Sequence, residues 1–254
     1  MRKVVTLGAA TALAAALAAG AHAGPASTDS NGNVSVLDVA LSPPVASSRA
    51  RPVGATLTFQ EFFGNRNGAV LPRVTKTTIR LPPGTRSNGR LFPKCDLPDK
   101  PDEVGKSRCT NASRIGSGTV EVDPRPALKE PLAGKLAVYN GELRGGKPTL
   151  ILLATVVVGG SELRGELDFE MRGSTLVSLT QPQGTPQGLF VITKVDAVIR
   201  AKIIARRGGR RVRVSVIETP RICRRGRWRS RSTQAFQDGG SLTAFDTAPC
   251  RPAR

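Results

Sequence analysis

Few side chains in this chain could carry chemistry, and the most versatile of them is missing. The one histidine, His22, falls in an N-terminal segment patterned as a cleaved leader. A Ser-His-Asp triad, a Cys-His pair and a histidine-bound zinc are therefore excluded from the mature chain. Neither S-x-x-K nor G-x-S-x-G occurs. Carboxylates remain. Glu166, Asp168 and Glu170 alternate and so project from one strand face, where two carboxyls can divide acid and base work on a glycosidic bond or take part in a calcium site. An ordinary solvated face with Leu167 and Phe169 turned to the core explains the same alternation more simply. The acidic run Asp96, Asp99, Asp102 and Glu103 lacks the alternating ligands and central glycine of an EF-hand loop and reads as a surface loop. No cofactor or metal is implied by either set.

Four cysteines, Cys95, Cys109, Cys223 and Cys250, are even in number, which in an exported chain reads as disulfides. Three pairings are open. Proximity favours Cys95 with Cys109 and Cys223 with Cys250, each bracketing a loop or a hairpin. A four-cysteine zinc site is disfavoured because no C-x-x-C spacing occurs.

Arginine is the third chemical resource. The chain after residue 23 holds 36 Lys and Arg against 19 Asp and Glu, and residues 200–254 alone hold 15 against 3. Arg211 and Arg213 share one strand face, as do Arg227, Arg229 and Arg231, and Arg206 is expected directly across from Arg211. Biased codon usage explains 28 Arg to 10 Lys, but not an excess concentrated in one quarter of the chain. These six arginines are the candidate anion-binding residues, and the partners they suit are anionic wall polymers or lipid headgroups. Nucleic acid is disfavoured, since only Trp228 is available as a stacking platform among them. Trp228 itself is expected in the core, beside a disulfide.

The elements that position these residues follow from the pattern. Arg2 and Lys3, an alanine-rich apolar run and Ala21-His22-Ala23 form a secretory signal peptide over residues 1–23, shorter than a membrane span, and no later apolar run is longer. The remainder, 24–254, is expected to be secreted. Its 27 glycines and 19 prolines of the whole chain punctuate short alternating runs, which predicts about eleven strands and an all-β, antiparallel β-sandwich of one large or two small units. The strands are 34–41, 55–63, 74–81, 118–122, 135–139, 149–158, 162–171, 189–204, 211–218, 228–236 and 241–245. The run Leu150 to Val158 does not alternate and is expected to be buried on both faces. A two-residue turn at Gly208-Gly209 pairs Ala205 with Val212, Ile203 with Val214 and Ala201 with Val216, all apolar, and Arg206 with Arg211. Residues 180–188 (TQPQGTPQG) read as a long loop or a junction.

The segments TKTTIRLPPGTRSNGRLFPKCDLPD (75–99), SRIGSGTVEV (113–122), KPTLILLA (147–154), ETPRIC (218–223) and TAPC (247–250) resemble a family of secreted, disulfide-containing proteins of high-GC Gram-positive bacteria. The resemblance implies export and a β-rich fold, and carries no activity and no functional residue. Together these readings predict a non-catalytic, secreted cell-envelope protein with a binding or structural role. A carboxylate-dependent hydrolase of envelope glycans is the alternative.

Overall fold

A computed structural model describes residues 24–95, 109–125, 128, 130–178, 191–207 and 209–253. The strands are β1 (Ser27–Thr28), β2 (Asn33–Ser42), β3 (Gly54–Asn65), β4 (Val74–Arg80), β5 (Arg86–Ser87), β6 (Arg114–Asp123), β7 (Leu132–Arg144), β8 (Lys147–Val158), β9 (Ser161–Arg172), β10 (Thr175–Ser178), β11 (Val191–Ile199), β12 (Lys202–Arg207), β13 (Arg210–Ser215), β14 (Ile217–Glu218), β15 (Arg227–Phe236) and β16 (Ser241–Pro249). Two three-residue 3-10 turns, 89–91 and 111–113, are the only helical elements among the described residues. The fold is all-β and antiparallel.

The two layers expected of a sandwich are opposite walls of one sheet. Its strands run β1-β2-β3-β11-β6-β7-β8-β9-β10-β4-β15-β16, and the sheet curls until its ends nearly meet. At that seam the amide of Val39 on β2 donates to Asp246 Oδ2 on β16 at 3.0 Å, a side chain standing where a ladder carbonyl would be. Closing a sheet in this way protects its edges from pairing with other chains.

Alternation decides which residues point inward. On β2 the odd positions 33 to 41 are buried, and on β15 and β16 the even positions 228 to 236 and 242 to 248 are. Leu41, Leu57, Leu81, Ile115, Val138, Leu150, Ile199 and Trp228 fill one end of the barrel. Burying each large apolar side chain contributes about 1.5–3 kcal/mol. The hairpins β7–β8 and β8–β9 turn on Gly145-Gly146 and Gly159-Gly160, all four at positive φ, as the two-residue hairpin turns that match strand twist require.

Two strand expectations need correction. The run 189–204 is broken at Arg200 and Ala201, where β11 leaves the barrel and the chain enters the separate β12–β13 ribbon. And β8 is buried continuously only from Thr149 to Ile151; Leu152 to Thr155 are half-buried, Val156 is buried and Val157 is 58 % exposed. Beyond Ile151 the inward side of β8 faces a cavity instead of packed core. The β12–β13 register is as the pattern predicts, with Ile203 opposite Val214, Ala205 opposite Val212 and Arg206 opposite Arg211. The segment 180–188 lies outside the described residues. The strands flanking it, β10 and β11, belong to the same sheet.

Candidate functional site

The barrel is packed at one end and hollow at the other. Toward the end formed by the start of β9 and β11 and the finish of β3, β6 and β8, a cavity of about 130 Å³ opens inside the sheet. Phe59, Leu152, Ala154, Leu163, Leu167 and Ile192 line it, and each is only half-buried although it points inward. The reason is a shortage of side-chain volume. Gly165 and Ala154, direct cross-strand partners, stand side by side on the wall, and a Cβ added at Gly165 would meet nothing within 4 Å. A cavity of about 150 Å³ lined by aliphatic and aromatic groups suffices for a benzene-sized guest.

Of the two acidic residues along this lining, Glu61 and Glu166, the one on an inward-facing strand position is Glu61. Glu61 on β3 is 3 % exposed and engages both the adjacent β2 and, across the barrel, β15, which is not its neighbour in the sheet. Ser35 Oγ on β2 donates to its Oε1 at 3.2 Å, Ser232 Oγ on β15 donates to its Oε2 at 2.9 Å, and Gln234 Nε2 lies 3.4 Å from both oxygens. Gln234 is itself set by Thr77 on β4, whose Oγ1 donates to its Oε1 at 2.6 Å. Burial dominates over these donors and pushes the Glu61 carboxyl from its ordinary 4.5 up to about 7. Nothing in the sequence pattern singled Glu61 out. Its one signal was polarity at an inward position of an otherwise apolar strand, TLTFQEFF.

The carboxylates singled out by spacing occupy the other face. Leu163, Leu167 and Phe169 point into the barrel, so Glu166, Asp168 and Glu170 project from the opposite face of β9, where all three are buried and not solvated as the alternation suggested, although Glu166 still borders the cavity wall. Asp168 is raised from 3.8 to about 7, first by burial and then by the neighbouring Glu166 carboxylate. Glu170 is engaged by Arg172 Nε at 2.6 Å and Lys147 Nζ at 2.9 Å, which together hold its carboxyl below the usual range.

The six candidate arginines fall in two groups. Arg206, Arg211 and Arg213 are on the β12–β13 ribbon, with Arg206 directly opposite Arg211. Arg227, Arg229 and Arg231 alternate along the outer face of β15, which pairs with β4 and β16, and no strand pairing joins the two groups. Arg231 is instead paired with Arg80 on β4, an arginine the charge pattern did not mark because it lies outside the basic quarter.

The cysteines pair as proximity predicts, Cys95 with Cys109 and Cys223 with Cys250, the chemistry of an oxidising, extracytoplasmic environment. Trp228 is 3 % exposed, packs in the core cluster that includes Cys250 and Cys223, and donates from Nε1 to the Ile222 carbonyl at 2.9 Å. No helix among the described residues is long and apolar enough to cross a membrane. The acidic positions Asp96, Asp99, Asp102 and Glu103 lie outside the described residues. No protein-family model matches the chain, no curated protein matches its sequence and no solved structure matches its fold.

Proposed function

We propose that this is an exported, non-catalytic binding protein that takes a small apolar molecule into the open end of its barrel. The guest presents a hydrogen-bond donor to Glu61. The observation that carries the reading is the contrast between the two halves of one interior: side chains at the closed end are fully buried, whereas inward-facing Phe59, Leu152, Leu163, Leu167 and Ile192 remain partly open around a 130 Å³ cavity. An apolar space with few placed polar groups is the usual form of a small-ligand site. The volume suits a ring or a short aliphatic chain within the barrel, with the rest of the guest at the mouth.

The test is displacement of an environment-sensitive apolar dye from the disulfide-bonded protein by a panel of lipophilic alcohols, amines and carboxylic acids, alongside Gly165→Leu. Saturable dye binding that Gly165→Leu weakens at least tenfold, with alcohols or amines displacing better than acids of equal chain length, is the expected result. Equal dye binding by the wild type and Gly165→Leu overturns the reading.

A further inference from the structure

The closed end of the barrel carries a second, chemically opposite cleft. It encloses about 490 Å³ and is lined by Arg49, Arg86, Arg90 and Arg221, with Ser87 and Asn88 between them. The four arginines come from three separate stretches of chain: the connection from β2 to β3 (Arg49), the segment of β5 and the 3-10 turn after it (Arg86 and Arg90), and the residues after β14 (Arg221). All four are exposed. One carboxylate, Glu218, shares the lining. It is the cross-strand partner of Arg86 and accepts a hydrogen bond from Asn88 Nδ2 at 3.0 Å. Four positive charges against one negative leave the cleft at +3.

The walls that bring these charges together are tied down. Ser47 N donates to the Pro220 carbonyl at 2.8 Å and Ser47 Oγ lies 3.0 Å from Thr219 Oγ1, which fixes the Arg49 connection beside Arg221. Cys223–Cys250 braces the same wall, since Ala46 N donates to the carbonyl of Arg251, next to Cys250. On the far side Asn88 N and Nδ2 donate to the carbonyls of Val216 and Ser215, both at 2.8 Å. Asn140 Nδ2 lies 2.9 Å from the carbonyl of Gly89, and Arg90 Nη2 bonds the Gly146 carbonyl. Like charges held close by a rigid frame repel unless a counter-charge sits among them. Guanidinium forks match phosphate oxygens two at a time, and a serine hydroxyl and an amide add neutral donors.

We propose that this cleft is a binding site for a phosphate-bearing ligand. The decisive experiment is calorimetric titration of the disulfide-bonded protein with three probes: pyrophosphate, an oligomer of glycerol phosphate, and vesicles of phosphatidylglycerol in phosphatidylcholine. Wild type is compared with R86Q/R90Q and with R229Q/R231Q, which removes the same two charges from β15. Saturable binding of at least one probe, weakened tenfold or more in R86Q/R90Q and less than twofold in R229Q/R231Q, supports the site, and the probe that binds identifies a free phosphate, a polymer or a lipid headgroup as the source. R49Q/R221Q reads the same cleft should R86Q/R90Q lose its cooperative melting. Equal losses in the cleft and β15 variants, or no saturable binding of any probe at millimolar concentration, overturn it.

Discussion

Glu61 Oε2 accepts a 2.9 Å hydrogen bond from Ser232 Oγ across the hollow of the barrel, between residues 171 positions apart in the chain. The contact joins β3 to β15, strands separated in the sheet order by β2 and β16 across the seam on one side and by the whole remaining wall on the other. With Ser35 and Gln234 it forms a polar belt between the packed end and the open end. A belt of this kind specifies how the seam aligns, because slipping β15 by one residue would turn Ser232 and Gln234 to solvent and strand a buried carboxyl.

The titration of that carboxyl makes stability depend on pH in a defined sense. Glu61 titrates near 4.5 when unfolded and near 7 when folded, so between those values the folded state binds more protons. Its contribution is therefore fully present below pH 4.5 and is lost as pH rises to 7, a change of roughly 3 kcal/mol. Asp168, raised from 3.8 to about 7, acts in the same direction. Chemical denaturation at pH 5 and pH 8 should show the wild type less stable at the higher pH and E61Q losing about half as much. Equal losses in both proteins would assign the effect elsewhere.

The seam has its own test. Asp246 Oδ2 is the acceptor for the buried amide of Val39, and removing it leaves that amide without its partner at a cost of about 1–3 kcal/mol. Asp246→Ala should lower the denaturation midpoint accordingly and speed hydrogen exchange at Val39 more than at Val138, on the far wall. Unchanged exchange at Val39 would show that the seam is held by other contacts.

How much of this was legible depends on the distance over which each signal acts. Local alternation marked β2, β3, β4, β9 and β15 within a few residues, because one buried face writes a period of two. Turn chemistry placed the β12–β13 register, and the Gly-Gly pairs at 145–146 and 159–160 carry the same information for β8. Strand β10, four residues long, and the two-residue strands β1, β5 and β14 are too short for periodicity to show. Glu61 left only the faint signal of a polar residue at an inward position, and the four cleft arginines left none. None belongs to a local pattern, and only contacts between distant segments bring Glu61 to Ser232 or Arg49 to Arg221. The same blindness favoured the arginines of residues 200–254, which are dense in sequence yet divided between two ribbons in space.

Filling the cavity should stabilise the fold. Gly165 lies in mid-strand with no contact awaiting its Cβ and an apolar space before it. Gly165→Leu removes the entropic penalty of a strand glycine and buries apolar surface, together about 1–2 kcal/mol. A raised melting temperature is expected, and a lowered one would mean that the space is smaller than the structure describes.

The Cys223–Cys250 bridge spans a sequence separation of 27 and holds Trp228 against the core. In the chain-entropy account, opening a loop of that length costs about 3–4 kcal/mol. C223S/C250S should therefore unfold at markedly lower denaturant, with the Trp228 fluorescence shifting to the red before the transition if the packing loosens locally. A loss under about 1 kcal/mol would show that the bridge constrains little beyond what β15–β16 pairing already does.

The β12–β13 ribbon places Arg206 opposite Arg211, while Ile204 on the same face as Arg206 is 62 % exposed. Like charges directly across an antiparallel pair destabilise it, and an opposite pair contributes about 0.2–1 kcal/mol. Arg211→Glu converts one repulsive pair into an attractive one without touching the buried Val214 side. Wild type should gain stability as salt rises from 20 to about 500 mM, because screening shortens to a few ångströms over that range, whereas Arg211→Glu should start higher and gain less. Parallel salt responses in the two proteins would show that the ribbon is not where the charge of this chain is felt.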